Sequence, residues 1–337
     1  MPTRPATVRI VRLCEMSDGD EGDMFVLMTA KEELSTREGK PYFKVAFRDS
    51  GRDVSFPVWQ DSPHADACRR DWTPGQFYKI RAQYRETSYG PQLELRKIRE
   101  VVEADTADGF DPLMCLAQSR FAPEEMFAEL LAIVEREIAD APLRELVRDI
   151  LLANREPFCR FPAARRNHHA FAAGLLEHTL SVTRSCVFLA DKYLEYYPEM
   201  TPPLDKGLAV AGAVLHDIGK LREYDVSPQG AEYSAAGHLI GHILQGRDIV
   251  REAAAGRNID PETLLRLEHV IVSHQRLPEW GSPKPPMTPE ALIVHHADDL
   301  DAKLNMFATA LATDGNAGPV TSNKNPLRQN VFRGLES

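Results

Sequence analysis

The chain changes its hydrophobic period once. Between residues 7 and 101, β-branched and aromatic residues alternate with polar ones in short runs. The runs are Thr7–Cys14, Met24–Ala30, Tyr42–Arg48, Asp53–Trp59, Gln76–Tyr84 and Gln92–Val101. Turn clusters such as Ser17-Asp18-Gly19-Asp20, Glu38-Gly39-Lys40-Pro41 and Tyr89-Gly90-Pro91 punctuate them. From Pro123 onward, apolar residues recur every three or four positions, first at Met126, Phe127, Leu130, Leu131 and Val134. A period of two describes strands with one buried face, and a period near 3.6 describes helices. One chain holding both in separate blocks reads as an α+β multidomain protein.

About five strands with a short helical insert near 61–71 suggest a small barrel of the OB type. In it Phe43, Val45 and Phe47 form one face, and Tyr78, Ile80, Ala82 and Tyr84 another inward set. Residues 105–165 read as a linker and helical connector, including a helix after Pro142. Residues 166–313 read as an all-helical domain, with helices at 168–196, 204–217, 235–255, 261–274 and 288–312. Residues 314–337, rich in Asn, Gly, Ser and Pro, read as a mobile tail or a segment ordered only by contact with the body. No internal repeat is visible.

The chain has 337 residues, 43% hydrophobic and 27% charged, as in a globular protein of two or three domains. No apolar run is long enough to span a membrane. Met1–Leu13 carries Arg4, Arg9 and Arg12 and lacks the apolar core of a signal peptide. The five cysteines (14, 68, 115, 159, 186) are scattered, which fits a reducing cytoplasm and argues against a thiolate zinc site.

The net charge of −10 disfavours nucleic acid on average, but between Arg69 and Arg99 eight Lys/Arg stand against three Asp/Glu. Tyr42, Lys44 and Arg48 on one strand, and Phe77, Lys79, Arg81 and Arg85 on another, lie on the outward face. Aromatic rings beside cations suit single-stranded nucleic acid, because bases stack while cations follow the backbone. An ordinary solvated sheet face fits the same residues.

Ten of the eleven histidines lie at or beyond position 168. His178 sits within a helix, and His216 and Asp217 end the next. His238 and His242 are four apart, and His269 and His274 share a helix. His295, Asp298 and Asp301 recur at spacing three. Any one of these can be a hydrogen-bonded core or surface residue, and Asp301 can be a partner to a ligand or a cap. Together, imidazoles and carboxylates without thiolates suit Mn, Fe, Mg or Zn with water ligands. Two such ions would polarise a phosphate and lower the pKa of an attacking water.

This ensemble resembles the HD superfamily of metal-dependent phosphohydrolases. His178, His216, Asp217 and Asp298 stand at its four defining ligand positions. Further stretches resemble the YhaM family of 3′–5′ exoribonucleases, which carry an OB-type domain before the HD domain. They are His168-His169-Ala170-Phe171, Gly174-Leu175-Leu176-Glu177-His178-Thr179, Gly237-His238-Leu239-Ile240-Gly241-His242, Glu279-Trp280-Gly281-Ser282-Pro283 and His295 to Lys303. The resemblance spans about residues 5–313. It implies domains at 1–104 (OB) and 166–313 (HD), and hydrolysis of single-stranded RNA, with single-stranded DNA as a further substrate, to nucleoside 5′-monophosphates. It also implies two divalent ions, Mn²⁺ by preference with Mg²⁺ or Fe²⁺ as alternatives. His242 and His274 fit the added ligands of two-metal members, and Asp217 would bridge.

Around these ligands, Lys220 would meet the scissile phosphate, or else cap its helix. His168 and His169, at a helix start, would meet a phosphate oxygen or protonate a leaving group, or else form a packing pair. Trp280 would stack a terminal base or only shape a turn. Ser273-His274-Gln275-Arg276 departs from the family's Ser-His-His-Gly; Arg276 would clamp phosphate or be a surface charge. Competing readings are a phosphohydrolase of small nucleotides and a nucleic-acid-binding protein with an idle HD domain. Homo-oligomerisation is compatible with all three.

Overall fold

A computed structural model describes residues 10–335, apart from 37, 88–89, 116, 166, 228–229 and 317. The chain divides into two compact units, Met1–Gln118 with Ser227–Gly230, and Ser119–Val226 with Ala231–Ser337.

The first unit is a five-stranded antiparallel sheet. Its strands are β1 (Glu21–Ser35), β2 (Pro41–Arg48), β3 (Asp53–Trp59), β4 (Phe77–Thr87) and β5 (Gly90–Glu100), with α1 (Ala65–Arg70) between β3 and β4. The spatial order is β3-β2-β1-β4-β5, and β5 comes round beside β3. A long first strand paired on both sides, with a helix between the third and fourth strands, is the OB arrangement. Alternation sets the faces as expected. Phe43, Val45, Phe47, Tyr78, Ile80, Ala82 and Tyr84 are all buried in one core with Met24, Val26 and Met28. Each large side chain so buried stabilises the fold by about 1.5–3 kcal/mol. Of the expected strand Thr7–Cys14, residues 7–9 lie outside the described residues, as do Arg4 and Arg9 and, in one expected turn, Tyr89. Beyond them Ile10 makes a single bridge to Asp23, and Leu13–Glu15 is a 3-10 turn rather than a strand.

The second unit is helical. α2 (Pro123–Glu137) and α3 (Ala141–Ala153) are followed by the short α4 (Arg155–Phe158), α5 (Gly174–Tyr196) and α6 (Lys206–Leu215). Next come α7 (Lys220–Glu223), the hairpin β6 (Tyr224–Ser227) and β7 (Gly230–Tyr233), α8 (Ala235–Leu239), α9 (His242–Ala254), α10 (Pro261–Ser273) and α11 (Pro289–Thr313). Asp140, Asp205, Asp260 and Thr288 cap four of these helices by accepting a backbone N–H. α6 is apolar all round and buried from Leu208 to Leu215, so it forms the axis of the bundle.

Several expectations change. Residues 123–153 are not a connector: Leu130, Val134, Leu146 and Ile150 share one core with α5, α6 and α10. The expected helix 168–196 starts only at Gly174, because His169 and Ala173 adopt left-handed backbone, at φ 45° and 62°. The expected helix 235–255 breaks at Gly241, with φ 79°. The hairpin was not foreseen. The tail is tied down: Arg333 and Ser322 both bond Asp314, Val320 bridges Phe332, and Val331 is buried.

Candidate metal centre

Five helices deliver the candidate ligands. α5 contributes His178, the end of α6 His216 and Asp217, the first residue of α9 His242, the end of α10 His274, and α11 Asp298. His178, His216 and His274 are fully buried, and Asp217 is 2% exposed. Apolar helices packed around α6 account for this burial, and it must be offset by pairing, since buried charge alone is costly.

Asp217 stands at the middle. Its Oδ2 lies 3.3 Å from His216 Nε2 and 3.5 Å from His178 Nε2, and Asp298 Oδ1 is 3.1 Å from His178 Nε2. Its Oδ1 lies 3.4 Å from His242 Nε2 and 3.7 Å from His274 Nε2. The six predicted ligands therefore form two groups that share one carboxylate, one on each oxygen.

Each imidazole is oriented from behind. His216 Nδ1 donates to the Ala213 carbonyl and His274 Nδ1 to the Ile271 carbonyl, both at 2.7 Å. His242 Nδ1 donates to Glu223 Oε1 at 3.0 Å, and His178 Nδ1 to Asp301 Oδ2 at 2.7 Å. Every Nε2 thus faces the centre, the tautomer a metal ligand needs. Asp217 Oδ1 and His274 Nε2 are buried yet meet no hydrogen-bond partner. Orphaned acceptors are rare and costly. Lone pairs 3.1–3.8 Å apart on a mixed nitrogen and oxygen set fit an octahedral divalent cation.

Electrostatics agree. Burial opposes the charge on Asp217, but Lys220 and His216 hold its carboxyl well below the usual range. Burial likewise opposes charge on Asp298 and Asp301, and the imidazoles beside them win, keeping both carboxyls ionised. Burial works against a charged His178 too, yet bonds to Asp298 and Asp301 raise its pKa to about 9. Burial pushes the fully enclosed His274 down.

Gly219 makes the geometry possible. A Cβ there would lie 1.9 Å from the His242 carbonyl oxygen and 2.5 Å from the Gly246 nitrogen. Only a residue without a side chain lets the turn after Asp217 press onto α9, which brings His242 to Asp217.

A cavity of about 580 Å³ opens beside the ligands. Lys220, His168, His242, Gln275, Tyr224, Tyr233 and Trp280 line it. Lys220 Nζ donates to Asp217 Oδ2 at 2.6 Å, so its ammonium sits at the centre rather than capping a helix. Trp280 is half-exposed on the wall, as stacking requires.

The remaining predicted residues are placed differently: His168 lies on the cavity wall and the others away from it. His168 and His169 do not start a helix. Burial, with the cations of Lys220 and His178 nearby, lowers the pKa of His168 to about 3. His169 does not line this cavity; it is buried behind it, its Nε2 donating to Asp301 at 3.0 Å. Arg276 is exposed and absent from the wall, and its backbone adopts φ 65°, where glycine is favoured. His238 is exposed against Tyr233, and His269 accepts the Met287 N–H.

The barrel's outward cations are less free than the sequence suggests. Lys79 bonds Asp108 at 2.6 Å and Asp105 at 3.4 Å, and Arg81 grips Asp23 at 2.6 and 3.0 Å. Arg85 meets Gln83 at 3.1 Å and Glu94 at 3.6 Å. Phe77 packs on Phe110, and Tyr42 on Trp59. The Arg48 Nε is buried without a partner. Lys44 is exposed.

Sequence reasoning missed Glu223, Tyr224 and Tyr233, and marked Gln275 only as a departure from the family pattern. Glu223 has no spacing signal; only the turn through α7 brings it under His242.

A helical bundle presenting these ligands around a central His-Asp pair is an HD-domain protein, and the family model described as HD domain matches residues 175–303. The chain belongs, more narrowly, to the family of the 3′–5′ exoribonuclease YhaM. It is 32% identical over 293 residues to that protein of Bacillus subtilis (strain 168), covering 87% of this chain and 88% of the relative. Among solved structures, the second OB-fold domain of replication protein A from Methanococcus maripaludis overlaps 28% of this chain and 96% of its own, at 12% identity and a TM-score of 0.22. That overlap is too slight to add to the strand order.

Proposed function

We propose that this chain is a metal-dependent 3′–5′ exoribonuclease that shortens single-stranded RNA, and single-stranded DNA as a further substrate, one nucleoside 5′-monophosphate at a time. The observation that carries the reading is Asp217, whose two oxygens each belong to a separate buried ligand group. His178, His216, Asp217 and Asp298 would hold one ion, and Asp217, His242 and His274 a second. Mn²⁺ is the proposed metal, the preference the family resemblance implies; imidazoles and carboxylates without thiolate suit it, as they do Mg²⁺, Fe²⁺ or Zn²⁺. When bound, the ions neutralise phosphate charge and lower the pKa of the attacking water.

The protein's own groups do the rest. Water oxygen bonds to the terminal phosphorus, the bond to the 3′ oxygen of the preceding nucleotide breaks, and that oxygen takes a proton to become the new chain end. Lys220, at the cavity wall, holds the phosphate in place. Trp280 and Tyr233 offer ring surfaces to the terminal base. A cavity of about 580 Å³ has room for a nucleotide. Residues 1–104 serve as the nucleic-acid-binding domain, and 166–313, sharing a core with the helices of 123–153, as the catalytic domain. On the barrel, Lys97, beside Lys79, Arg81 and Arg99 in one depression, joins Lys44 in following the backbone. Five free thiols support a cytoplasmic location. Exposed Leu300, Leu304, Phe307 and Leu311 along α11 offer a surface for self-association.

The test is degradation of 5′-labelled single-stranded RNA and DNA with Mn²⁺, Mg²⁺, Fe²⁺ or Zn²⁺. A ladder of shortening strands with nucleoside 5′-monophosphate as product supports the reading. Release of phosphate from free nucleotides, or RNA binding without turnover, overturns it.

A further inference from the structure

The second ligand group has one further side-chain neighbour, at the position where the family's Ser-His-His-Gly has its second histidine. Gln275 Nε2 lies 3.3 Å from His242 Nε2, and Gln275 lines the cavity over the centre. Its backbone is fixed: its N–H donates to the buried Ser282 Oγ at 3.0 Å, and its carbonyl accepts from Leu277 at 2.7 Å. Only the side chain is free to adjust.

His242 Nδ1 is committed to Glu223, so its Nε2 carries a lone pair. As placed, the Gln275 amide N–H donates into that lone pair. An ion held by His242 needs the same lone pair. A half-turn about the terminal bond of the glutamine exchanges its nitrogen for its oxygen in nearly the same place. The oxygen would then stand about as far from His242 Nε2 as Asp217 Oδ1 does, at 3.4 Å. Neighbouring ligands of an octahedral ion with bonds of about 2.1 Å are about 3 Å apart.

We propose that Gln275 is a protein ligand of the second ion through its side-chain oxygen, and that it makes that position weaker than the first and selective for hard cations. The inference rests on the two-ion reading above. The first group owns the whole carboxylate of Asp298 and shares Asp217. The second shares Asp217 and adds only a neutral amide, so it carries one negative charge fewer. An amide oxygen suits Mn²⁺ or Mg²⁺ better than an imidazole would, because it is a harder donor.

Calorimetric titration of the full chain with Mn²⁺, beside Gln275→Ala, Gln275→Glu and His216→Ala, tests this. Wild type should bind two ions of unequal affinity. Gln275→Ala should weaken the looser one about tenfold or more and spare the tighter, whereas His216→Ala should remove the tighter. Gln275→Glu should bring the two affinities together by restoring a charge. Two ions bound by Gln275→Ala with wild-type affinities overturn the proposal while leaving the two-ion reading intact. Wild type binding no ion, or one, overturns both. Circular dichroism checks that each variant is folded; Gln275 is only partly buried, so its replacement should leave the fold intact.

Discussion

Asp301 Oδ2 accepts from His178 Nδ1 at 2.7 Å, on the far side of the imidazole from the ligand centre. The same oxygen accepts from His169 Nε2 at 3.0 Å, and Ser181 bonds the other oxygen. The bond to His178 fixes which of its nitrogens faces the candidate ligand centre, so Asp301 would act as a positioning residue. Asp301→Asn should lower Mn²⁺ affinity and kcat/KM about 10- to 100-fold while the chain stays folded. Titration of both quantities checks it, and wild-type metal affinity would show that backbone packing alone orients His178.

Asp217→Asn should abolish turnover on every phosphate ester and remove high-affinity binding of both ions, because both groups lose a charged oxygen at once. Asp298→Asn should cost the first ion only. Metal stoichiometry by elemental analysis separates the two variants.

Gly219→Ala should drive α9 away from the turn after Asp217, since the new methyl would fall 1.9 Å from the His242 carbonyl oxygen. Displacing His242 by about 1 Å should cost about 100-fold in kcat. The loss should fall on kcat more than on KM for RNA, and steady-state kinetics read the split.

Lys44→Ala and Lys97→Ala should each weaken RNA binding and reduce the salt slope by about one unit. Lys79→Ala should change it less, because Asp108 and Asp105 already neutralise that ammonium. Filter binding across a salt series distinguishes these outcomes.

The barrel should depend on pH through Asp105. Arg99, the largest influence, and the Val102 N–H and Lys79 outweigh burial and hold its carboxyl far below the usual range. A carboxyl depressed in the folded state adds stability that is present above its unfolded pKa of about 3.9 and lost as pH falls toward the folded value. Asp105→Ala should cost about 2 kcal/mol at neutral pH. The gap from wild type should begin to narrow below about pH 4 and keep shrinking toward pH 2. Thermal melts between pH 2 and pH 7 measure it.

The sequence by itself determined the two periodicities, hence a strand barrel followed by helices, and through its family resemblance it named the candidate ligands. Histidine and aspartate at the ends of apolar helices are legible because few other uses justify them there. His178, His216, Asp217, His242, His274 and Asp298 needed no coordinates to be named. What surrounds them was decided only by the tertiary structure. Glu223 reaches His242 through a turn without a motif, and His169 leaves the cavity because a left-handed backbone delays α5. The cations of the barrel are quenched by acids far along the chain: Asp23 lies 58 residues from Arg81, and Asp108 lies 29 from Lys79. Pairing across such distances follows from strand register and loop path, and these are set by the packing of the whole sheet rather than by any local pattern.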